Sequence, residues 1–388
     1  MSVSDRIGGA AAGAAFRVAS RAAAAVLRRL PPEAAHDLAV RGLMHGPARR
    51  STLPPLDGLG CEIAGLRFSH PVCLGAGFDK HAQAIAGLLA LGFAGVEVGS
   101  VTLRPQAGNP RPRVFRLPER RAIINRYGFN SAGAEAVGRR LARYDGGGTR
   151  EGGAGGGARG VVGASLGLNK GSTDPAGDYA GVAERLGPHA DYLAFNPSSP
   201  NTAGLRRLQA PEQLGRIVRA VAGASPRPLF VKLSPDMERG EEAEVFAALA
   251  ELPVAAAIVS NTTLAREGVA GPHGGLHAGP HAGGAGGLSG PPLAERARAM
   301  LVRARAALPA RIALVASGGI ETGSDVADRL ALGASLVQVY TAFIYRGPDT
   351  AARMVEELIA ARAGAEPGAE AEARVEARAE AVENRPDA

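Results

Sequence analysis

Short apolar runs alternate with helical stretches along the chain from Pro71 onward. Each run is bounded by glycine, proline or small polar residues, which is typical of buried strands. We predict strands at 71–76, 94–99, 161–167, 191–196, 228–233, 254–260, 312–317 and 335–340, and helices at 81–91, 132–143, 211–223, 240–251, 292–307, 323–332 and 349–362. This alternation favours the α/β class and a closed parallel barrel, the (β/α)8 or TIM barrel, over an open sheet.

Two connections between the predicted strands are much longer than the others. Residues 100–131 follow the second strand and contain Pro105, Pro110 and Pro112 before a hydrophobic stretch. We therefore expect an insertion that passes over the barrel mouth. Residues 264–290 follow the sixth strand, and their richness in glycine and histidine predicts a flexible lid.

The segment before the barrel has helical periodicity. Residues 16–30 place four arginines among alanines and larger apolar residues, which predicts a short basic amphipathic helix. The spacing of Ala35, Leu38, Ala39 and Leu43 predicts a second helix that ends near Gly46. Two alternatives stay open: a transit or signal peptide, which shares the bias towards arginine, serine and alanine, and a helix that covers the bottom of the barrel.

These patterns divide the chain into three parts. We predict a small two-helix extension at 1–50, the barrel at 51–362 and a tail of alanine, glutamate and arginine at 363–388. The glycine-rich segment 145–159 is predicted to be a flexible surface loop. Neither low-complexity segment has enough large apolar residues to build a core, so we assign no function to either.

The composition is that of a soluble globular chain. Of 388 residues, 46% are hydrophobic, and no apolar run approaches the ~18 residues that a membrane-spanning helix needs. Cys61 and Cys73 fit no disulfide framework and no paired metal motif, which favours a reducing compartment. The net charge is +7, but only 4% of residues are aromatic and tryptophan is absent, so nucleic-acid binding is disfavoured.

Polar residues and glycines follow nearly every predicted strand. In a parallel barrel the active site lies at the carboxyl ends of the strands, so these residues are candidates for binding. They are Gly75 to Lys80, Gly99-Ser100, Asn196, Lys232, Ser260 to Thr262, Gly318-Gly319 and Tyr340-Thr341. Because glycines in the last two loops let backbone N–H groups approach a phosphate, a phosphorylated cofactor is expected.

Asparagines and lysines add specific chemistry to this predicted mouth. An asparagine amide both donates and accepts hydrogen bonds, which suits a ring with imide and carboxylate groups. Five asparagines fall at suitable loop positions, namely Asn125, Asn130, Asn196, Asn201 and Asn261. Lys80 and Lys232 supply positive charge for an anionic substrate and for a reduced cofactor ring. Taken singly, each asparagine is a common turn or cap residue and each lysine a solvated or paired charge, but their recurrence at strand ends favours a binding site.

The histidines and carboxylates do not form a group with metal-ligand spacing, so no metal is expected. His273, His277 and His281 do lie four residues apart. Their neighbours are almost all glycine, alanine and proline, which is typical of a solvated loop.

Several longer motifs occur in a fixed order. They are GAGFDK (75–80), EVGSVTLRPQAGNPRPRVFRL (97–117), NRYGFN (125–130), NPSSPNTAGLRRLQ (196–209), VKLSPD (231–236), SNTTL (260–264), GGLSG (286–290), SGGI (317–320) and LVQVY (336–340). A single piece such as SGGI is weak, because many phosphate-binding barrels end a strand in paired glycines. Together, and in this order, the motifs resemble those of the class 2 dihydroorotate dehydrogenases over roughly residues 30–360.

The resemblance implies sites for FMN and dihydroorotate. FMN would contact Ala76, Gly77, Phe78, Asp79, Lys80, Ser100, Ser165, Asn196, Lys232, Ser260, Gly290, Gly319, Tyr340 and Thr341. Substrate would be held by Lys80, Asn125, Arg126, Tyr127, Gly128, Phe129, Asn196, Asn201, Asn261 and Thr262, with Ser199 as the catalytic base. The chain has Ser165 where the family commonly has asparagine, but a serine hydroxyl still donates and accepts a hydrogen bond.

The implied activity is the oxidation of (S)-dihydroorotate to orotate with a quinone as electron acceptor, in de novo pyrimidine (UMP) biosynthesis. Ser199 would take the C5 proton while its own hydroxyl proton leaves through a water or Thr202, and the C6 hydride would pass to flavin N5. The N-terminal helices would form the quinone entrance, which Arg116 and Tyr340 would face. A monomer would bind peripherally to the cytoplasmic face of the cell membrane.

Two rival functions fit parts of this pattern. The first is the soluble class 1 enzyme, which uses fumarate or an NAD-linked partner and places cysteine at the base position, where this chain has Ser199. The second is a non-catalytic barrel that only binds a phosphorylated ligand. The N-terminal extension and Ser199 favour the quinone-dependent class.

Overall fold

The computed structural model describes residues 22–45, 53, 56–146, 160–198, 205–266, 269 and 285–364. The first turns of the predicted first helix, up to residue 21, and most of the glycine-rich loop and of the predicted lid therefore lie outside the described residues. The same holds for nearly all of the tail and for Ser199 and Asn201.

Eight parallel strands close into a barrel. The strands of the protein, in chain order, are β1 (Cys61–Ile63), β2 (Leu66–Phe68), β3 (Val72–Leu74), β4 (Gly95–Val101), β5 (Val114–Leu117), β6 (Ala122–Asn125), β7 (Val161–Leu166), β8 (Tyr192–Phe195), β9 (Leu229–Leu233), β10 (Ala256–Val259), β11 (Gly287–Ser289), β12 (Ala313–Ser317) and β13 (Leu336–Val339). Around the barrel the order is β3, β4, β7, β8, β9, β10, β12 and β13. Each of the eight predicted runs contains or overlaps a barrel strand, so the predicted TIM barrel is confirmed.

The barrel strands are buried on both faces, which explains why they read as continuous apolar runs. All six residues of β7 are buried, for example. Strand side chains that face outward pack against the helices and form a large hydrophobic core with them. Strand side chains that face inward form a smaller hydrophobic cluster, which fills the barrel interior. In that interior Tyr192 and Phe230 stack with their ring centroids 4.2 Å apart.

Helices connect the strands on the outside of the barrel. They are Ile85–Ala90, Ala134–Gly146, Pro175–Leu186, Pro211–Ala224, Arg239–Ala250, Ala294–Ala307, Gly323–Ala331, Thr341–Arg346 and Thr350–Gly364. The helix expected at 81–91 begins only at Ile85, because the Asp79 carboxylate accepts hydrogen bonds from the N–H groups of Gln83 (2.8 Å) and Ala84 (2.7 Å) and holds the preceding loop. Helix Pro175–Leu186 was not predicted, although Asp174 caps its first turn through Gly177 N (3.1 Å).

The long connection after β4 folds into a small antiparallel sheet of β5, β6 and β11. Val114 pairs with Asn125 between β5 and β6, and Gly287 pairs with Asn125 from the other side. Residues of this sheet line the cavity at the carboxyl ends of the barrel strands. The predicted insertion over the barrel mouth is therefore confirmed, and the end of the predicted lid forms its third strand.

The N-terminal helix Pro32–His45 lies at the barrel mouth, where it packs against helix Ile85–Ala90 and β5. Residues 22–27 are also helical. The β1–β2 hairpin packs instead on the interior cluster near the starts of the strands, through Ile63 and Phe68. The described part of the basic first helix lines the cavity at the mouth through Ala23, Ala24 and Leu27, so this part does not cover the bottom of the barrel. Among the described residues, every helix is too short or too polar to cross a bilayer.

Candidate active site

A single cavity of about 560 Å³ connects the barrel mouth with the N-terminal helices. One end is formed by polar strand ends, such as Ser100, Asn196 and Asn261. The other end is largely apolar and is lined by Leu27 and Leu43, among others. A polar ligand and an apolar one can therefore occupy the two ends of the same space.

The polar end contains a connected set of hydrogen bonds. The Ser100 and Ser165 hydroxyls are 2.8 Å apart, and the Asn196 amide donates to Ser100 Oγ at 3.3 Å. The Asn261 amide donates to Asn196 Oδ1 at 3.1 Å and to Ser198 Oγ at 2.9 Å. These contacts fix the orientation of both amides, so donors and acceptors are pre-arranged for a polar ring.

Lys80 lies between the barrel mouth and the N-terminal helix. Its ammonium donates to the Gly77 carbonyl, lies 3.5 Å from His36 Nε2 and sits 4.0 Å from the centroid of the Tyr127 ring. Burial first, and then the charge of Arg113, lower the pKa of Lys80 to about 7. Because its charge is only partly compensated, this lysine is suited to bind an anion.

Arg113 connects the insertion to the N-terminal helix. Its guanidinium lies 2.8 Å from Glu33 Oε1 and is 5.2 Å from the Tyr127 ring centroid. On the same sheet, Arg116 Nη1 donates to the carbonyls of Arg28 (2.7 Å) and Leu30 (2.9 Å). These bonds hold the N-terminal segment over the apolar end of the cavity.

One part of the cavity wall, formed by Ser289, Gly290, Gly319 and Thr341, combines hydroxyl groups with glycines in backbone conformations that other residues rarely adopt. Gly319 has φ +71°, and a Cβ there would lie 2.3 Å from Ala294 Cα. Gly290 has φ +100°, and a Cβ there would lie 2.8 Å from Arg121 O. Nearby, Thr341 Oγ1 lies 2.8 Å from Ser289 Oγ. Glycines and hydroxyls that converge on a cavity wall are the donor set that a phosphate group requires.

The second buried lysine, Lys232, also lines the cavity. Its ammonium donates to Gln338 Oε1 at 3.4 Å, and the Gln338 amide donates to Glu97 Oε2 at 2.8 Å. Burial lowers the pKa of Lys232, and the charge of Glu97 opposes that shift. Among the described residues Lys232 makes this one hydrogen bond, so its other N–H groups can reach a group bound in the cavity.

Most of the predicted site residues line this one cavity. They are Ala76, Gly77, Phe78, Lys80, Ser100, Asn125, Tyr127, Gly128, Phe129, Asn196, Lys232, Ser260, Asn261, Thr262, Gly290, Gly319, Tyr340 and Thr341. Asp79 is turned into the loop that it caps, Ser165 lies buried behind Ser100, and Arg126 donates to the Pro112 carbonyl at the surface. Ser199 and Asn201 lie outside the described residues.

The cavity wall also contains Asn130, one of the five asparagines expected at the mouth, and two residues that the sequence did not single out, Gln338 and His36. The buried Oδ1 of Asn130 has no hydrogen-bond partner among the described residues. A polar residue inside the apolar strand LVQVY was the available signal for Gln338, whereas His36 reaches the site only because its helix docks there.

The comparisons with known proteins agree with this geometry. The family model described as dihydroorotate dehydrogenase matches residues 58–361. A protein of Kineococcus radiotolerans named dihydroorotate dehydrogenase (quinone) is 44% identical over 365 residues, which cover 88% of this chain and 94% of that protein. The mouse protein named dihydroorotate dehydrogenase (quinone), mitochondrial, is 42% identical over 87% of this chain and 84% of its own length. The crystal structure of DHODH in complex with ferulenol from Eimeria tenella superposes with a TM-score of 0.77 at 36% identity, covering 86% of this chain and 92% of that one.

Proposed function

This chain belongs to the dihydroorotate dehydrogenase family, and we propose that it oxidises (S)-dihydroorotate to orotate and delivers the electrons through FMN to a quinone, in de novo pyrimidine (UMP) biosynthesis. The observation that carries the proposal is the cavity that joins a polar mouth to an apolar end. An enzyme that oxidises a polar ring and reduces a lipophilic quinone needs both environments within reach of one cofactor.

The residues at the barrel mouth fit FMN. Gly290, Gly319 and Thr341 would hold the phosphate, while Ser100 and Lys232 would contact the ring. When bound, the flavin supplies the hydride acceptor and the route for electrons to the quinone. The protein's part is to orient the ring and to place charge beside it. Ala76 to Lys80, Ser165, Asn196, Ser260 and Tyr340 complete the proposed cofactor contacts.

Substrate binding is assigned to the polar end of the cavity. Lys80 would pair with the carboxylate of dihydroorotate, because its buried ammonium is only partly compensated by the groups around it. Asn196 and Asn261, whose amides are already oriented by mutual hydrogen bonds, would bind the ring imide. Residues 125–129, Asn201 and Thr262 complete the proposed substrate contacts.

Ser199 is the proposed base for the C5 proton. A serine hydroxyl is a poor base on its own, so its proton must leave through a water or a neighbouring hydroxyl as transfer proceeds. Ser199 follows Ser198, whose hydroxyl donates to Asn196 Oδ1 at 3.2 Å and accepts from Asn261. A serine at this position, rather than cysteine, supports quinone over fumarate as the acceptor.

The apolar end of the cavity is the proposed quinone entrance, formed by the extension at 1–50. Leu27, Leu43 and Phe343 line it, and Arg116 and Tyr340 lie on the same wall. On the outer surface of the N-terminal helices large apolar side chains are exposed, namely Val26, Leu30, Leu38 and Met44. Exposed apolar residues beside arginines suit a segment that lies in a membrane surface. We therefore propose peripheral binding of a monomer to the cytoplasmic face of the cell membrane.

The half-reaction with substrate tests this proposal. The purified protein should carry one FMN per chain and lose its visible flavin absorbance when dihydroorotate is added without oxygen. A colourless protein, or a flavin that dihydroorotate does not reduce, would contradict the proposed function.

A further inference from the structure

Buried polar side chains cross the barrel interior just below the mouth. Lys232 on β9 donates to Gln338 on β13 at 3.4 Å, and Gln338 donates to Glu97 on β4 at 2.8 Å. Tyr192 on β8 donates to the same Glu97 oxygen, Oε2, at 3.1 Å. Glu97 is fully buried, so a strand residue of this polarity needs a reason beyond packing.

The barrel is shaped to admit these side chains. A Cβ at Gly163 would lie 2.1 Å from Tyr192 Cζ, so only glycine leaves room for the ring that reaches Glu97. A Cβ at Gly75 would lie 3.3 Å from Gln338 Oε1. Small residues on neighbouring strands thus make space for the polar chain.

Glu97 and Lys232 form an anion and cation bridged by an amide. Burial first, and then Glu97, raise the pKa of Tyr192 well above its usual value, so the phenol stays neutral and acts as a donor. Burial also raises the pKa of the Cys73 thiol, which leaves it neutral. Among the described residues, Glu97 is the charged group that acts on Lys232.

Only one orientation of the Gln338 amide makes a hydrogen bond to both Glu97 and Lys232. Its N–H group must face the Glu97 carboxylate and its oxygen must face the Lys232 ammonium. The other carboxylate oxygen, Glu97 Oε1, is buried and accepts no hydrogen bond among the described residues. The negative charge of Glu97 is therefore incompletely compensated locally and acts across the amide on Lys232.

We propose that Glu97 is a positioning residue that, through Gln338, keeps Lys232 charged and aimed at the bound flavin ring. The inference rests on the proposed function, since it concerns the flavin. Glu97 is not among the proposed contacts to substrate or flavin. It acts on the equilibrium between oxidised and reduced flavin, because a fixed positive charge beside the ring stabilises the negative charge that reduction adds.

The test is the reduction potential of the bound flavin in Glu97→Gln, which removes the charge and keeps the shape. The ratio of reduced to oxidised flavin at a fixed potential should fall about tenfold, or about 30 mV for a two-electron couple. Lys232→Met should lower the ratio too, and adding Glu97→Gln to Lys232→Met should change it no further. The control is Glu242→Gln, which removes another buried carboxylate, one paired with Arg303 outside the barrel, and should leave the potential unchanged.

Gln338→Met provides a second variant if Glu97→Gln does not fold, because it breaks the bridge and keeps both charges. It should lower the ratio in the same direction. An unchanged reduction potential in Glu97→Gln and Gln338→Met would overturn the inference. So would a fall in the ratio of reduced to oxidised flavin that Glu97→Gln causes equally in wild type and in Lys232→Met. If the wild type binds flavin and Glu97→Gln has the same reduction potential, only this inference is refuted. If the wild type binds no flavin, the proposed function is refuted and this inference with it.

Discussion

Replacing Lys80 by methionine removes the positive charge proposed to bind the substrate carboxylate. Burial and then Arg113 lower the pKa of this lysine to about 7, so in the unliganded protein it is about half protonated near neutral pH. A carboxylate binds the protonated form and stabilises it. Orotate should therefore bind most tightly below pH 7 and more weakly as the pH rises.

The size of the effect follows from the contact. A buried charge-assisted hydrogen bond contributes roughly 1.5–3 kcal/mol, and about 1.4 kcal/mol corresponds to one pKa unit. The pKa of Lys80 in the complex should therefore rise by about one to two units. The Kd of orotate should increase about fivefold to twenty-five-fold between pH 7 and pH 9 and change by no more than about twofold below pH 7.

The same pKa shift fixes the sign of the stability change in the absence of ligand. In the unfolded chain Lys80 keeps its proton up to about its ordinary value of 10.5. Between pH 7 and that value the unfolded state binds more protons than the folded state, so stability should rise with pH. Lys80→Met should remove this contribution and stabilise the protein most below pH 7.

The assay is an orotate titration of the flavin-bound protein from pH 6 to pH 9, followed by flavin absorbance. Lys80→Met should bind orotate about tenfold to a hundredfold more weakly at pH 6 and lose the pH dependence. Lys170→Met is the matched control, because Lys170 is an exposed lysine that donates to Asn109 Oδ1 at 2.7 Å. A wild-type Kd that does not change with pH, or a pH dependence that survives in Lys80→Met, would show that Lys80 does not bind the carboxylate.

Three further predictions concern the base, the membrane surface and the N-terminal helix. Ser199→Ala should slow anaerobic flavin reduction about 10²–10⁴-fold while FMN stays bound. The control Ser172→Ala removes a buried hydroxyl that has no partner among the described residues, and it should leave the rate unchanged. Stopped-flow absorbance measures the rate of flavin reduction in both variants. Leu38→Glu should weaken binding to anionic vesicles in a sedimentation assay and leave flavin reduction unchanged, because Leu38 is exposed; equal binding would contradict the membrane role. Glu33→Gln should lower the free energy of unfolding by about 1–3 kcal/mol in urea, since it leaves buried Arg113 without its carboxylate. The control Glu62→Gln breaks the exposed ion pair between Glu62 and Arg67 and should lower the free energy of unfolding by roughly 0–1 kcal/mol. Equal losses in the two variants would contradict the role of Glu33 in docking the N-terminal helix.

The barrel could be predicted from the sequence because each of its strands is buried on both faces and reads as an apolar run. The polar strand ends could be predicted for the same reason, since the ends of the runs mark the mouth. Helix Pro175–Leu186 was missed although Asp174 and Pro175 mark its start. The late start at Ile85 depends on Asp79, whose side chain could equally have faced a ligand.

Contacts between distant segments could not be read from local patterns. The pairing of β11 with β6 joins two connections that are far apart in the chain. The docking of helix Pro32–His45 at the mouth depends on Glu33 meeting Arg113, and nothing in the helical periodicity distinguishes the mouth from the bottom of the barrel. The chain of Glu97, Gln338 and Lys232 likewise exists only once three strands meet inside the closed barrel.

The choice of electron acceptor distinguishes a quinone-dependent enzyme from one that uses fumarate or NAD. Dihydroorotate oxidation by the purified, FMN-bearing protein should be measured with a quinone, with fumarate and with NAD under the same conditions. We expect rapid turnover with the quinone alone, and slower turnover when the apolar end of the cavity is narrowed by Ala39→Phe, without any loss of flavin reduction by dihydroorotate. Turnover with fumarate or NAD that matches or exceeds turnover with the quinone would rule out the proposed quinone dependence.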